Sequence, residues 1–197
     1  MSKKSSSIRR FLLGTKTSGF LTLHETEKAG YTGSFLITDF KGIPIEFRCT
    51  HPLTPDAVQR SLYGEALLSY IGVEICGKPL INAMKKKPKL LFVDKPFLLK
   101  LEEHAPCPTF LVQEIEEEDA SAKPERFDAA YHMEVIESGY NGFPPLQLVT
   151  KGEVKQKTRE LIEQLYSEVN ILDSFERMKN AVGSLNQITS RFKSVER

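Results

Sequence analysis

The sequence predicts an α+β fold: a mainly antiparallel sheet in the order β-β-β-α-(α)-β-β-β, then a C-terminal amphipathic helical extension. Three observations predict it. Strand-like apolar runs occupy two stretches, on either side of a helix whose start is marked by proline. A short link ending in glycine, Asp39 to Gly42, joins two of those runs as a hairpin would. From Lys151 onward prolines stop, and apolar residues recur at threes and fours.

The elements follow in order. Residues 1–18 open basic and serine-rich, with Lys3, Lys4, Arg9 and Arg10, and read as a flexible arm. Residues 19–115 read as the α+β domain. "GFLTLHE" and "GSFLITDF" are strands, the second apolar on both faces as a central strand is. "IPIEFRCT" alternates Ile43, Ile45, Phe47 and Cys49 against Pro44, Glu46, Arg48 and Thr50. Pro44 lacks an N–H, which places that strand at a sheet edge.

A helix then begins with Thr54 as its cap, Pro55 in the first position and Asp56 at the positive dipole end. Gly64 inside it costs about 1 kcal/mol relative to alanine, which predicts close packing against it. Gly77 and Pro79 break the helix or start a second one. Leu90 to Val93 form a buried strand, and "PFLLKLEE" and "PTFLVQEI" are two more.

Residues 116–126 are an acidic linker or loop, and 127–150 a short β-rich segment. Residues 151–197 are the helical extension, with a break near Asn170 to Ser174 where the apolar seam changes phase. Its apolar face holds Leu161, Leu165, Leu172, Phe175, Met178, Val182, Leu185 and Phe192, the expected protein-binding residues.

Composition narrows the function classes. Hydrophobic residues are 40% of 197 and charged residues 27%, ordinary for a globular core. A net charge of +1 gives no global field to attract nucleic acid. Three cysteines, Cys49, Cys76 and Cys107, are too few and odd for a disulfide framework and fit reduced thiols in a cytoplasm. The N-terminal apolar run, Phe11 to Leu13, is short beside the roughly 20 residues that a membrane span needs. These features predict a cytoplasmic protein with no membrane partner and no cofactor.

Four side-chain sets are candidates for chemistry. Cys49 with His51, and His104 with Cys107, hold four donors of the kind that tetrahedral zinc takes. The same Cys and His neighbours are candidate nucleophile and base pairs. Asp39, Glu46 and Arg48 form a nuclease-like set across a hairpin, except that arginine cannot act as a base. Lys85, Lys86, Lys87 and Lys89 make a local basic patch able to touch nucleic acid.

Gly42, Pro44, Glu46, Phe47, Thr50, Pro52 and Pro55, followed by Gln59, Leu62, Tyr63 and Gly64, make a recognisable pattern. It resembles a group of uncharacterised bacterial proteins with a G-x-P-x-E-F-x-x-T-x-P-x-x-P run and a later Q-x-x-LYG. The likeness covers roughly residues 19 to 115 and implies no activity. At fold level, the element order is similar to that of small profilin- and roadblock-type domains.

The reading that results is a non-enzymatic protein-binding or adaptor protein, assembling with itself or a partner through its C-terminal helices. One alternative is a metal-dependent hydrolase or nuclease component. Another is a nucleic-acid-binding accessory protein, with nucleic acid a partner that the sequence does not favour.

Overall fold

The computed structural model describes residues 16–26, 30–115, 130–139 and 142–195, with side chains as far as residue 188. Lys3, Lys4, Arg9 and Arg10 of the basic arm, the acidic stretch 116–126 and the Phe192 side chain lie outside the described residues.

Strands β1 (Thr17–Thr26) and β2 (Gly30–Asp39) pair antiparallel, with Thr17 opposite Asp39 and Thr26 opposite Gly30. Strand β3 (Pro44–Cys49) pairs antiparallel with β2 and forms one edge of the sheet. Pro44 opens that edge strand, where a missing N–H breaks no ladder. The turn before it is built by Asp39, whose Oδ1 accepts from the Lys41 and Ile43 N–H groups at 2.9 Å each. Gly42 supplies the positive φ of 75° that the turn requires.

A helical crossover follows: α1 (Ala57–Tyr63), α2 (Ala66–Tyr70), a π-helical segment (Ile71–Gly77) and α3 (Lys78–Ala83). Asp56, not Thr54, caps α1. Its side chain accepts from Gln59 N at 2.7 Å, and Gln59 Oε1 accepts from Asp56 N at 3.0 Å, a reciprocal capping box. Gly64 ends α1 at φ 49° and ψ −130°. No atom lies within 4 Å of where its Cβ would be. The glycine is there for its backbone conformation, and the expected close packing is absent. Helix α1 buries none of its residues, with Val58 66% and Leu62 78% exposed.

The crossover delivers β4 (Leu90–Val93), buried along its whole length, parallel to β1. "PFLLKLEE" is a 3₁₀ helix (Pro96–Glu103), not the expected strand. Leu98, Leu99 and Leu101 all enter one apolar cluster, whereas a strand would send Leu98 and Leu99 to opposite faces. This helix is the connection to β5 (Thr109–Glu114), which runs parallel to β4. A parallel pair cannot be joined by a hairpin and needs such a crossover.

Strands β6 (Tyr131–Ile136) and β7 (Leu146–Lys151) extend the same sheet, β7 antiparallel to both β5 and β6. The order is β3-β2-β1-β4-β5-β7-β6. The fold is therefore α+β with a mixed seven-stranded sheet, parallel at its centre, and the expected mainly antiparallel arrangement is corrected. The likeness to profilin- and roadblock-type domains, which rested on the expected order, goes with it.

Helices cover both faces. One face carries Leu21, Phe35, Ile37, Leu91, Val93 and Leu111 against the crossover and the 3₁₀ helix. The other carries Phe20, Leu36, Phe92, Phe110 and Leu148 against helices α4 (Gln156–Glu168) and α5 (Ile171–Val195). The two helices meet at Val169 and Asn170, where Asn170 Oδ1 accepts from Leu172 N at 3.0 Å. Leu165, Phe175, Met178 and Val182, expected to bind a partner, are buried in the chain's own core. Leu161 and Leu172 pack at its margin, and Leu185 lies toward the surface. Fully burying a side chain of this size stabilises by about 1.5–3 kcal/mol, so α4 and α5 complete the fold.

Candidate functional site at the carboxyl end of the central strands

Alternation along β1 sends Phe20, Thr22 and His24 toward α5, and Leu21 and Leu23 to the other face. Leu21 lies beside Val93 in the β1–β4 register, which carries Thr22 alongside the next residue, Asp94. An open pocket of about 520 Å³ sits there. Thr22, His24, Asp94 and Lys95 form its floor, Phe175, Glu176, Lys179 and Val182 of α5 cover it, and Leu68 and Phe97 close one side. The carboxyl ends of parallel strands, where the chain leaves the sheet, are the usual ligand position in such sheets.

Asp94 is the notable group. Burial pushes its carboxyl above the ordinary carboxylate range, against the opposing pull of the Thr22 hydroxyl and the Lys95 ammonium. Lys95 Nζ stands 3.5 Å from Asp94 Oδ2, while Oδ1 is buried without a hydrogen-bond partner. A buried acceptor left unpaired costs about 1–3 kcal/mol, more when charged.

His24 Nε2 lies 2.7 Å from the hydroxyl of Ser34, which is fully buried on β2. Burial, then Lys95 and Lys179, lower the His24 pKa to about 4, with Glu176 opposing. The ring is therefore neutral at physiological pH. Glu176 pairs with Lys179 at 3.6 Å, and Glu25 accepts from Tyr31 Oη at 2.9 Å.

The sequence-derived candidates fall elsewhere. Asp39 is consumed by its turn. Glu46 lies on the edge strand and accepts from Arg48 Nε at 2.5 Å and from the Lys85 and Lys86 N–H groups at 3.1 Å. Burial raises the Glu46 pKa, but Arg48 and those two N–H groups outweigh it and hold the carboxyl below its ordinary value. Glu46 and Arg48 thus staple the loop after α3 to β3, and the hairpin set is structural.

Lys85, Lys86, Lys87 and Lys89 lie on that loop, before the amino end of β4 and so at the opposite end of the strand from the pocket. Cys49 and His51 are exposed beside the edge strand, while His104 and Cys107 follow the 3₁₀ helix. Among the described residues no three His, Cys, Asp or Glu side chains are grouped to hold a metal, so the four do not form the expected site. Burial raises the thiol pKa of Cys49, and that of Cys107 to about 12, the reverse of an activated nucleophile.

Thr22, His24, Asp94, Lys95, Glu176 and Lys179 escaped the sequence reading. One signal was available: "LLFVDK" is a fully apolar strand that ends directly in a carboxylate and an ammonium. The donors around Asp94 do not fit a resident divalent cation: Glu176 is paired with Lys179, Glu25 accepts from Tyr31, and among the described residues no three ligands are grouped.

No protein-family model matches the sequence, and no curated protein matches it. Solved structures do. Human endonuclease V is similar with a TM-score of 0.52 and 11% identity, over 86% of this chain and 87% of that one. Endonuclease V of Ciona intestinalis, solved with an inosine-containing DNA, gives 0.49 and 10% over 93% and 96%. The NurA nuclease of Sulfolobus solfataricus gives 0.43 and 10% over 95% and 94%. The first of these establishes the shared fold. It overturns the adaptor reading together with the packing of α4 and α5: the helices meant for assembly are core, and the fold they complete is one shared with a solved endonuclease.

Proposed function

We propose that the protein is a nuclease component that hydrolyses nucleic-acid phosphodiesters at the Asp94 pocket. The observation that carries this reading is Asp94 itself, a carboxylate with an unpartnered oxygen at the carboxyl end of a central parallel strand. The endonuclease-like fold supports the substrate class.

The roles follow from the chemistry. Lys95 and Lys179 hold a backbone phosphate and stabilise charge that develops on its oxygens. Asp94, its pKa raised by burial, takes a proton from the attacking water. The water oxygen bonds to phosphorus, the bond from phosphorus to the leaving sugar oxygen breaks, and that oxygen is protonated from solvent. Thr22 orients Asp94, and neutral His24 offers a hydrogen bond without charge.

End-labelled single-stranded DNA, duplex DNA and RNA, incubated with the full chain, test this on denaturing gels. Wild type should cut at least one, and Asp94→Asn should cut it at least ~100-fold more slowly, as loss of a general base implies. Equal cleavage by the two proteins removes the reading.

A second reading is strand binding without cleavage. It is favoured by one observation: the carboxylate of the pocket's α5 wall, Glu176, is paired with Lys179. Binding of a strand with no product from any substrate would select it.

A further inference from the structure

We infer that this pocket binds its phosphate through the ammonium groups of Lys95 and Lys179, with no divalent cation required. The inference rests on the nucleic-acid reading above and deepens it.

A carboxylate and a phosphate are both anions, so bringing them together needs positive charge between them. Hard divalent cations supply it when several carboxylates hold the ion, since such ions take six or more oxygen ligands. The groups around Asp94 are arranged otherwise. The β1 residue alongside it is Thr22, which is neutral. Glu176 is paired with Lys179, Glu25 with the Tyr31 hydroxyl, and the His24 Nε2 with Ser34. No three metal-ligating side chains are grouped among the described residues.

Positive charge, by contrast, is already present on both walls. Lys95 stands on the sheet side, 3.5 Å from Asp94 Oδ2, and Lys179 comes from α5 across the pocket. Both ammonium groups act on His24, so their fields overlap inside the site. Asp94, Glu25 and Glu176 line the same pocket, so its charge is mixed, and a phosphodiester is attracted locally by the two ammonium groups rather than by a net positive field. Lysine is suited to this as a compact point charge on a flexible stem.

Fluorescence anisotropy of a short 5′-labelled single strand tests the inference, in EDTA and again in millimolar magnesium or manganese. The affinity in EDTA should equal or exceed that with the cation. Lys95→Gln and Lys179→Gln should each weaken binding about tenfold or more, and each should lower the salt slope by about one. Both side chains are exposed, so the variants keep the fold.

Binding that disappears in EDTA overturns the inference. So does a saturable manganese site that broadens the His24 ring resonances of the protein alone. Either result leaves the nucleic-acid reading standing. Failure to bind any strand, with or without cation, removes that reading and the inference together.

Discussion

At the scale of single residues, Asp94 shows a conflict between stability and use. Its folded pKa is raised, so the protonated form is the one that folding favours. The sign follows from linkage: stability linked to this group is full below the unfolded carboxyl value and is lost as pH rises through the folded pKa. Above that folded pKa the ionised carboxylate therefore destabilises the fold. Asp94→Asn should raise the melting temperature at pH 7 while removing activity, measured by calorimetry and the cleavage assay on one preparation. An unchanged or lower melting temperature would mean that the carboxylate is better solvated than its burial implies. Gly64 is the opposite case, with a backbone constraint and no neighbour to lose. Gly64→Ala at φ 49° should cost about 1–3 kcal/mol in urea unfolding without touching the pocket. Residue-type reasoning identified the glycine as anomalous but assigned it to packing, because spacing alone does not separate a tight contact from a left-handed turn.

At the scale of elements, helices α4 and α5 decide between an appendage and a core. Leu165 is fully buried against the sheet, so Leu165→Ala should cost about 2–5 kcal/mol in denaturant unfolding. Removing residues 151–197 should leave a chain without cooperative unfolding, where an adaptor arm would leave a stable domain. The periodicity that located these helices was fully legible, as was their break near Asn170. Which apolar surface they cover was not, because an amphipathic stripe is the same whether its partner is the chain's own sheet or another molecule. The first three strands were legible too, and Pro44 placed β3 at the edge, but alternation did not give its face: Ile43, Phe47 and Cys49 are exposed, while β1 and β2 are buried on both sides. The 3₁₀ helix was lost because eight residues rich in leucine fit both periods, and that one misreading changed a parallel crossover into an antiparallel meander. The pocket was lost with it, because a site at the carboxyl ends of parallel strands cannot be located while the strands are thought antiparallel.

At the scale of the whole molecule, the sheet holds a histidine that charges only at a cost to the fold. His24 lies between β1 and α5, with Lys95 and Lys179 facing it, Glu176 opposing them and Ser34 bonded to Nε2. Its folded pKa is about 4 against an ordinary value of 6.5. The unfolded chain therefore takes up the proton first, and stability tied to His24 is complete above pH 6.5 and declines as pH falls toward 4. Glu46 also loses its contribution in acid, but its pKa is lowered from 4.5, so its loss begins only at the acid end of that window and continues below it. Asp94 gains stability over the same fall in pH, so the comparison belongs in an Asp94→Asn background: its melting curves by circular dichroism should show a falling midpoint between pH 6.5 and about 4, and adding His24→Gln should flatten that fall while keeping the loss below it. Lys179→Gln should make the same slope shallower, since one source of the repulsion is removed from α5. A slope untouched by either substitution would place the acid-sensitive group elsewhere, and would mean that water or the Glu176 carboxylate screens His24 from the two lysines that define the pocket.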